Sequence, residues 1–170
     1  MSCAPKQPGY FVGGKQPALP DSARVKAVLS VSQENLSAVL FAVPNERYRL
    51  ELSGTFGLSV ASILWKKDGW KVVLPQNERY MEGNGNCVSI PSYGDVDIHK
   101  FAFLFLGYRV DAFDCDGSDL TVEYKDNIAL ADFGDDTLKL EIKNIDPKAK
   151  WGGGVWNLNV PDKYVRLTAY

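Results

Sequence analysis

A single histidine, His99, stands in the whole chain of 170 residues, and the three cysteines, Cys3, Cys87 and Cys115, form no Cys-x-x-Cys. Zinc centres and dithiol redox sites are built from several such side chains at close spacing, so neither has support here. Runs of like charge are absent too, with 19 basic and 21 acidic residues interspersed to a formal charge of −2. That leaves no basic stripe to steer the chain toward nucleic acid. No apolar run approaches the ~20 residues that a membrane-spanning helix requires.

Catalytic motifs are missing in the same way. Asp111, Asp114, Asp116 and Asp119 surround Gly117, but without the twelve-residue spacing and closing glutamate of a calcium loop they read as a solvated segment. Asp132-Phe133-Gly134 has none of the glycine-rich loop, lysine strand or catalytic loop that a kinase requires, and reads as a turn. Asn84-Gly85-Asn86 is no phosphate cradle. His99 has no serine or cysteine at a recognised spacing, which makes it a structural or surface histidine rather than a general base. The expectation is a non-enzyme with no catalytic residue, no metal and no cofactor.

What the chain has in abundance is alternation. Val25, Ala27, Leu29 and Val31 interleave with Arg24, Lys26 and Ser30, and a turn at Gln33-Glu34-Asn35 leads to Leu36–Val43. Tyr48–Ser53, Leu58–Trp65, Trp70–Leu74 and Arg79–Glu82 continue the pattern, with Lys67-Asp68-Gly69 as a hairpin signal. A second group follows at Leu120–Lys125, Ile128–Phe133, Leu138–Lys143, Trp156–Val160 and Tyr164–Leu167. Short connections favour antiparallel neighbours, and about eleven strands in one sheet are too many to stay flat. The predicted architecture is mainly β: a single long antiparallel sheet, curled into a half-open barrel with one apolar face.

One stretch breaks the alternation. Asp95–Gly107 predicts a helix over about 95–106, with Asp95 as N-cap and Gly107 as the left-handed closing residue. Ile98, Phe101, Ala102 and Phe105 share one side, and Phe103, Leu104 and Leu106 leave the other side apolar as well. Burying five such side chains contributes on the order of 10 kcal/mol, so the helix is expected to cover the concave face of the sheet.

The first 21 residues read as a flexible tether rich in proline and glycine (Pro5, Pro8, Gly9, Gly13, Gly14, Pro17, Pro20), ahead of a domain spanning 22–170. Cys3 near its start fits a leader-stripped bacterial lipoprotein whose cysteine carries the lipid anchor; the alternative is an incidental cysteine on a cytosolic chain. With Ala4 after it rather than aspartate, the sorting logic of Gram-negative lipoproteins places the anchored protein at the periplasmic face of the outer membrane. Cys87 and Cys115 are then an even pair, either bridged in an oxidising periplasm or two free thiols.

Arg47-Tyr48-Arg49-Leu50-Glu51-Leu52, followed by Gly54-Thr55-Phe56-Gly57-Leu58-Ser59, resembles the LolB-type lipoprotein receptor of the bacterial outer membrane and, more loosely, its carrier relative LolA. The order continues through Val72-Val73-Leu74, Tyr80, the Ile98–Gly107 helix and Pro161-Asp162-Lys163-Tyr164, across most of residues 22–167. The resemblance implies a half-open barrel whose apolar concave face receives lipoprotein acyl chains, on a domain held by its own N-terminal lipid. It also makes Phe56 a membrane-transfer residue, at a hairpin tip where the receptor family generally carries leucine. A ring folded back onto the core is the alternative. The family usually supplies more than one helix on the concave side, whereas only one is legible here.

Strand parity then selects Leu50, Leu52, Trp70, Val72, Leu74, Leu140 and Trp156 from the sheet, with Ile98, Phe101 and Phe105 from the helix, as the expected lining of an acyl groove. Trp65, Trp70, Trp151 and Trp156 are read first as core residues. The expected partners are a lipid or acylated lipoprotein, the outer-membrane surface and a periplasmic carrier. The alternative function is a non-catalytic envelope interaction module whose sheet is filled by its own side chains.

Overall fold

The computed structural model describes residues 10–13, 18–90, 94–115, 121–133 and 136–168. Among them the chain runs β1 (Ala23–Val31), β2 (Glu34–Val43), β3 (Arg47–Ser53), β4 (Ser59–Lys66), β5 (Gly69–Leu74), β6 (Arg79–Gly83), β7 (Cys87–Ile90) and β8 (Gly94–Asp97). The helix α1 (Ile98–Phe105), β9 (Val122–Lys125), β10 (Ile128–Phe133), β11 (Asp136–Asp146) and β12 (Val165–Arg166) follow. Ten strands form one sheet in the order β12-β6-β5-β4-β3-β2-β1-β11-β10-β9, and β7 pairs with β8 in a separate ribbon. The sheet is not closed into a barrel, and its curl around α1 makes it the half-open, mainly β architecture that the alternation predicts.

One pair departs from the expected antiparallel pattern. β12 lies parallel to β6, with Val165 opposite Arg79. A tight turn cannot join parallel neighbours, so the chain must cross a face of the sheet to reach that edge. It crosses the outer face. After β11 the segment passes behind β2, where Trp151 meets Phe41 edge-on at 5.4 Å, and behind β3, where the Arg49 guanidinium donates to the carbonyls of Val155 and Asn157. It reaches β5 at Lys71, which donates to the Leu158 carbonyl.

The inner face is continuous. Met81, Val72, Ile63, Leu50, Leu40 and Val25 follow one another through successive register pairs across six strands, and Leu29 lies opposite Leu140 on the far side of β1. All of these are buried. Polar partners such as Arg49, Glu51 and Lys71 alternate onto the outer face, as a period of two requires.

α1 is shorter than the expected 95–106. Its N-cap is Asp97, whose side chain accepts from the amides of His99 and Lys100, and Asp95 belongs instead to β8. β7 and β8 form a two-stranded ladder in which Val88 pairs with Val96, and both are buried. Gly107, at φ 85°, closes the helix as predicted, its amide donating to the Leu104 carbonyl. Cys87 and Cys115 are joined in a disulfide with Cα atoms 6.1 Å apart, which settles the alternative left open by their count.

Candidate functional site

Leu50, Leu52, Trp70, Val72 and Leu140 lie on the inner face, and Ile98, Phe101 and Phe105 reach it from α1. Leu74 packs against the same cluster while staying partly accessible. The geometry therefore brings together nine of the ten residues expected to line a groove. None of the eight leading members is more than 9% exposed. An empty hydrocarbon-sized hollow would leave its walls open to a water-sized sphere, so these walls touch one another. Phe101 stacks edge-on to Phe105 at 5.3 Å and tilts against Phe113 at the same distance. The inner face is occupied by the protein's own helix.

Trp156 is the exception, and its placement corrects the expectation. It is buried in a short 3-10 turn, Gly153–Trp156, rather than on a strand. It sits on the outer face, under the Arg47 guanidinium at 4.6 Å and beside Trp151. The apolar-polar alternation of 156–160 is that of an extended chain held by Arg49 and Lys71 instead of by a ladder.

Phe56 is 96% exposed. It occupies the 3-10 turn Thr55–Gly57 between β3 and β4 at φ 61°, the left-handed region, with Gly57 beside it at φ 72°. The turn is pinned below the tip, where the Gly54 amide donates to the Leu58 carbonyl and Gly57 donates back to Gly54. Leu58 is 62% exposed. An open cleft of about 560 Å³ adjoins the tip, lined by Leu36, Leu58, Val60, Gln33, Asn35 and Gln76 among others. Two further clefts flank the Lys67–Asp68 turn, one lined by charged side chains alone and the other by charged side chains for half of its lining, and of the expected lining residues only Trp70 borders either.

Where α1 begins, a buried polar contact ties it to the sheet. Tyr48 is fully buried, accepts from the Asn45 amide and lies 3.2 Å from Nδ1 of His99. The His99 ring stands edge-on to Trp65 at 4.5 Å. Burial lowers the His99 pKa from 6.5, with the Asp97 carboxylate opposing, and burial raises that of Tyr48. The imidazole is therefore neutral near pH 7, and the tautomer decides whether the Tyr48 hydroxyl donates to Nδ1 or accepts from it. Sequence reasoning singled out His99 but missed Tyr48, whose parity marks it only as a core position.

Among the described residues no group of three or more acidic, cysteine or histidine side chains could hold a metal ion, and no helix is long and apolar enough to cross a membrane. Asp116, Gly117 and Asp119 of the acidic segment, Gly134, and Cys3 with Ala4 of the proposed anchor lie outside the described residues. The features in hand define a curled β-sheet plugged by one helix, with an apolar turn raised at its rim. No protein-family model and no curated protein matches the chain.

Proposed function

We propose that the chain is a non-catalytic, LolB-like acyl-handling domain that works at a membrane surface, with Phe56 as its interfacial wedge and Cys3 as its lipid anchor at the outer membrane. The observation that carries this is the uncharged rim turn. From Leu52 to Trp65 the sequence has no charged side chain, and within that stretch Phe56 and Leu58 face solvent. A ring placed at a headgroup boundary gains about 1.5–3 kcal/mol, and an anchored domain adds that gain to a tether already at the surface. Lipid or lipoprotein acyl chains are then accepted on the inner face, where Phe101 and Phe105 now lie, so that uptake requires α1 to move. Exchange between two apolar environments needs little net energy.

A second reading has its own observation. The close packing of the inner face favours an envelope interaction module that keeps its core filled and docks a protein partner by the same rim turn. Two measurements separate these. Phe56→Asn should weaken co-sedimentation with anionic phospholipid vesicles about ten- to a hundredfold, from the ring's interfacial gain. One peptide, with and without a C16 acyl chain, should bind only in the acylated form. Equal binding of both peptides rejects the acyl site and leaves the interaction module.

A further inference from the structure

Residues upstream of β1 carry the glycines and prolines of a tether, yet two aromatic side chains among them are seated on the C-terminal end of α1. Phe11 is 3% exposed and belongs to the main core. Its amide donates to the Gly107 carbonyl at 2.7 Å, and its own carbonyl accepts from Nε of Arg109 at 2.6 Å. Its ring tilts against Tyr124 of β9 with centroids 5.0 Å apart, and the Arg109 guanidinium lies 5.2 Å from that same ring. Tyr10 covers Gly107 so closely that a Cβ there would stand 3.2 Å from the Tyr10 ring. Farther along, the Tyr108 hydroxyl donates to the Ala18 carbonyl at 2.8 Å.

The two ends of α1 are held differently. At its start the Cys87–Cys115 disulfide joins the strand before β8 to the return segment. Backbone bonds reinforce it, from Ile98 to Asn86, from Asp97 to Phe113 and from Cys115 to Asp95. That end is covalently closed. At the far end Gly107–Arg109 is covered by the N-terminal arm, through contacts that are all non-covalent. Phe11 also adopts φ 59°, a left-handed conformation that a bulky residue takes only when its surroundings hold it there.

We propose that Tyr10 and Phe11 form a releasable clasp on α1, and that the helix is hinged at its disulfide end. Withdrawal of Phe11 frees Gly107–Arg109 and lets the last turn of α1 lift away from the inner face, with the Ile98 end as pivot. Cys3 lies within about 30 Å of extended chain from Phe11, so tension on an anchored N-terminus bears on the clasp before it reaches the sheet. Two parts rest on the function proposed above, the pull from an anchored Cys3 and the uptake of an acyl chain by the uncovered face; the clasp and its release do not.

The test is amide hydrogen exchange on the full, oxidised chain, comparing the wild type with Phe11→Ala and with Arg109→Ala. The second variant removes an exposed side chain and leaves the core intact. In both, the amides of Leu106, Gly107 and Tyr108 should exchange at least about tenfold faster while those of β1 and β2 keep their rates, as local opening requires. Unchanged exchange at 106–108, or equal acceleration throughout the sheet, overturns the clasp. A fluorescent C16 fatty acid added to the same samples resolves the rest. Faster exchange with increased uptake supports clasp and acyl site together. Faster exchange without uptake keeps the clasp and rejects the acyl site, and uptake without faster exchange overturns the clasp.

Discussion

Phe56 combines two unfavourable choices at one position: a large apolar ring almost wholly in water and a left-handed backbone that glycine or asparagine adopts more readily. A residue selected only for folding would be neither. Phe56→Asn should therefore leave the fold unharmed or stabilise it by up to about 1 kcal/mol, measured as a rise in the urea midpoint, even as vesicle binding falls. A loss of stability would mean that the ring supports the core after all. The sequence made this residue visible because two glycines frame it, but whether the ring turned inward depended on φ at one bond. Trp156 was misplaced for a related reason. Alternating polarity records which side chains are covered and not which face covers them, and Trp156 is covered by Arg47 and Trp151 on the outside.

On the scale of one element, α1 was legible from its run of phenylalanines and its closing glycine, and its start was read two residues early. Asp95 and Asp97 are equally good caps in isolation. The choice between them was made by the ladder that Gly94–Asp97 forms with β7. The disulfide was undecidable from spacing, since 28 residues separate the cysteines. A closed loop of that length contributes about 3–4 kcal/mol in the chain-entropy account. Reduction should accordingly lower the unfolding midpoint and raise amide exchange first around β7 and β8, while the β1–β2 ladder exchanges last.

The same helix should respond to acid. His99 titrates below 6.5 when folded, so as pH falls the unfolded chain takes up its proton first. Its contribution is complete above about pH 6.5 and is lost as pH drops through the lower, folded value. Protonation places a charge on a ring that is packed against Trp65 and Tyr48, where burial disfavours it. Asp97 partly offsets the cost. Urea unfolding at pH 7.5 and pH 5.5 should show a smaller pH dependence in His99→Asn than in the wild type; an identical dependence would remove His99 from the account.

For the whole molecule, the sheet was legible because strand parity is a strong signal wherever one face is dry, and ten strands with short turns leave few arrangements. What parity did not carry was the crossing behind the sheet, which depends on contacts between residues about a hundred positions apart, such as Arg49 with Val155. This crossing also separates two roles. Trp156→Ala should cost about 3–5 kcal/mol, as removal of a buried tryptophan does, yet leave acyl-peptide affinity unchanged in the folded fraction because the ring lies on the outer face. A selective loss of affinity at unchanged stability would put Trp156 back among the ligand contacts.

The parallel seating of Val165 beside Arg79 also bears on how the chain is made. β1 finds its second neighbour only when β11 arrives, and β6 gains its outer neighbour β12 later still. A polypeptide emerging from N to C terminus thus leaves both flanks of its first six strands open until β11 and β12 have been made. Such exposed flanks invite pairing with other nascent chains, so the protein should depend on a holding chaperone during synthesis far more than its finished stability would suggest.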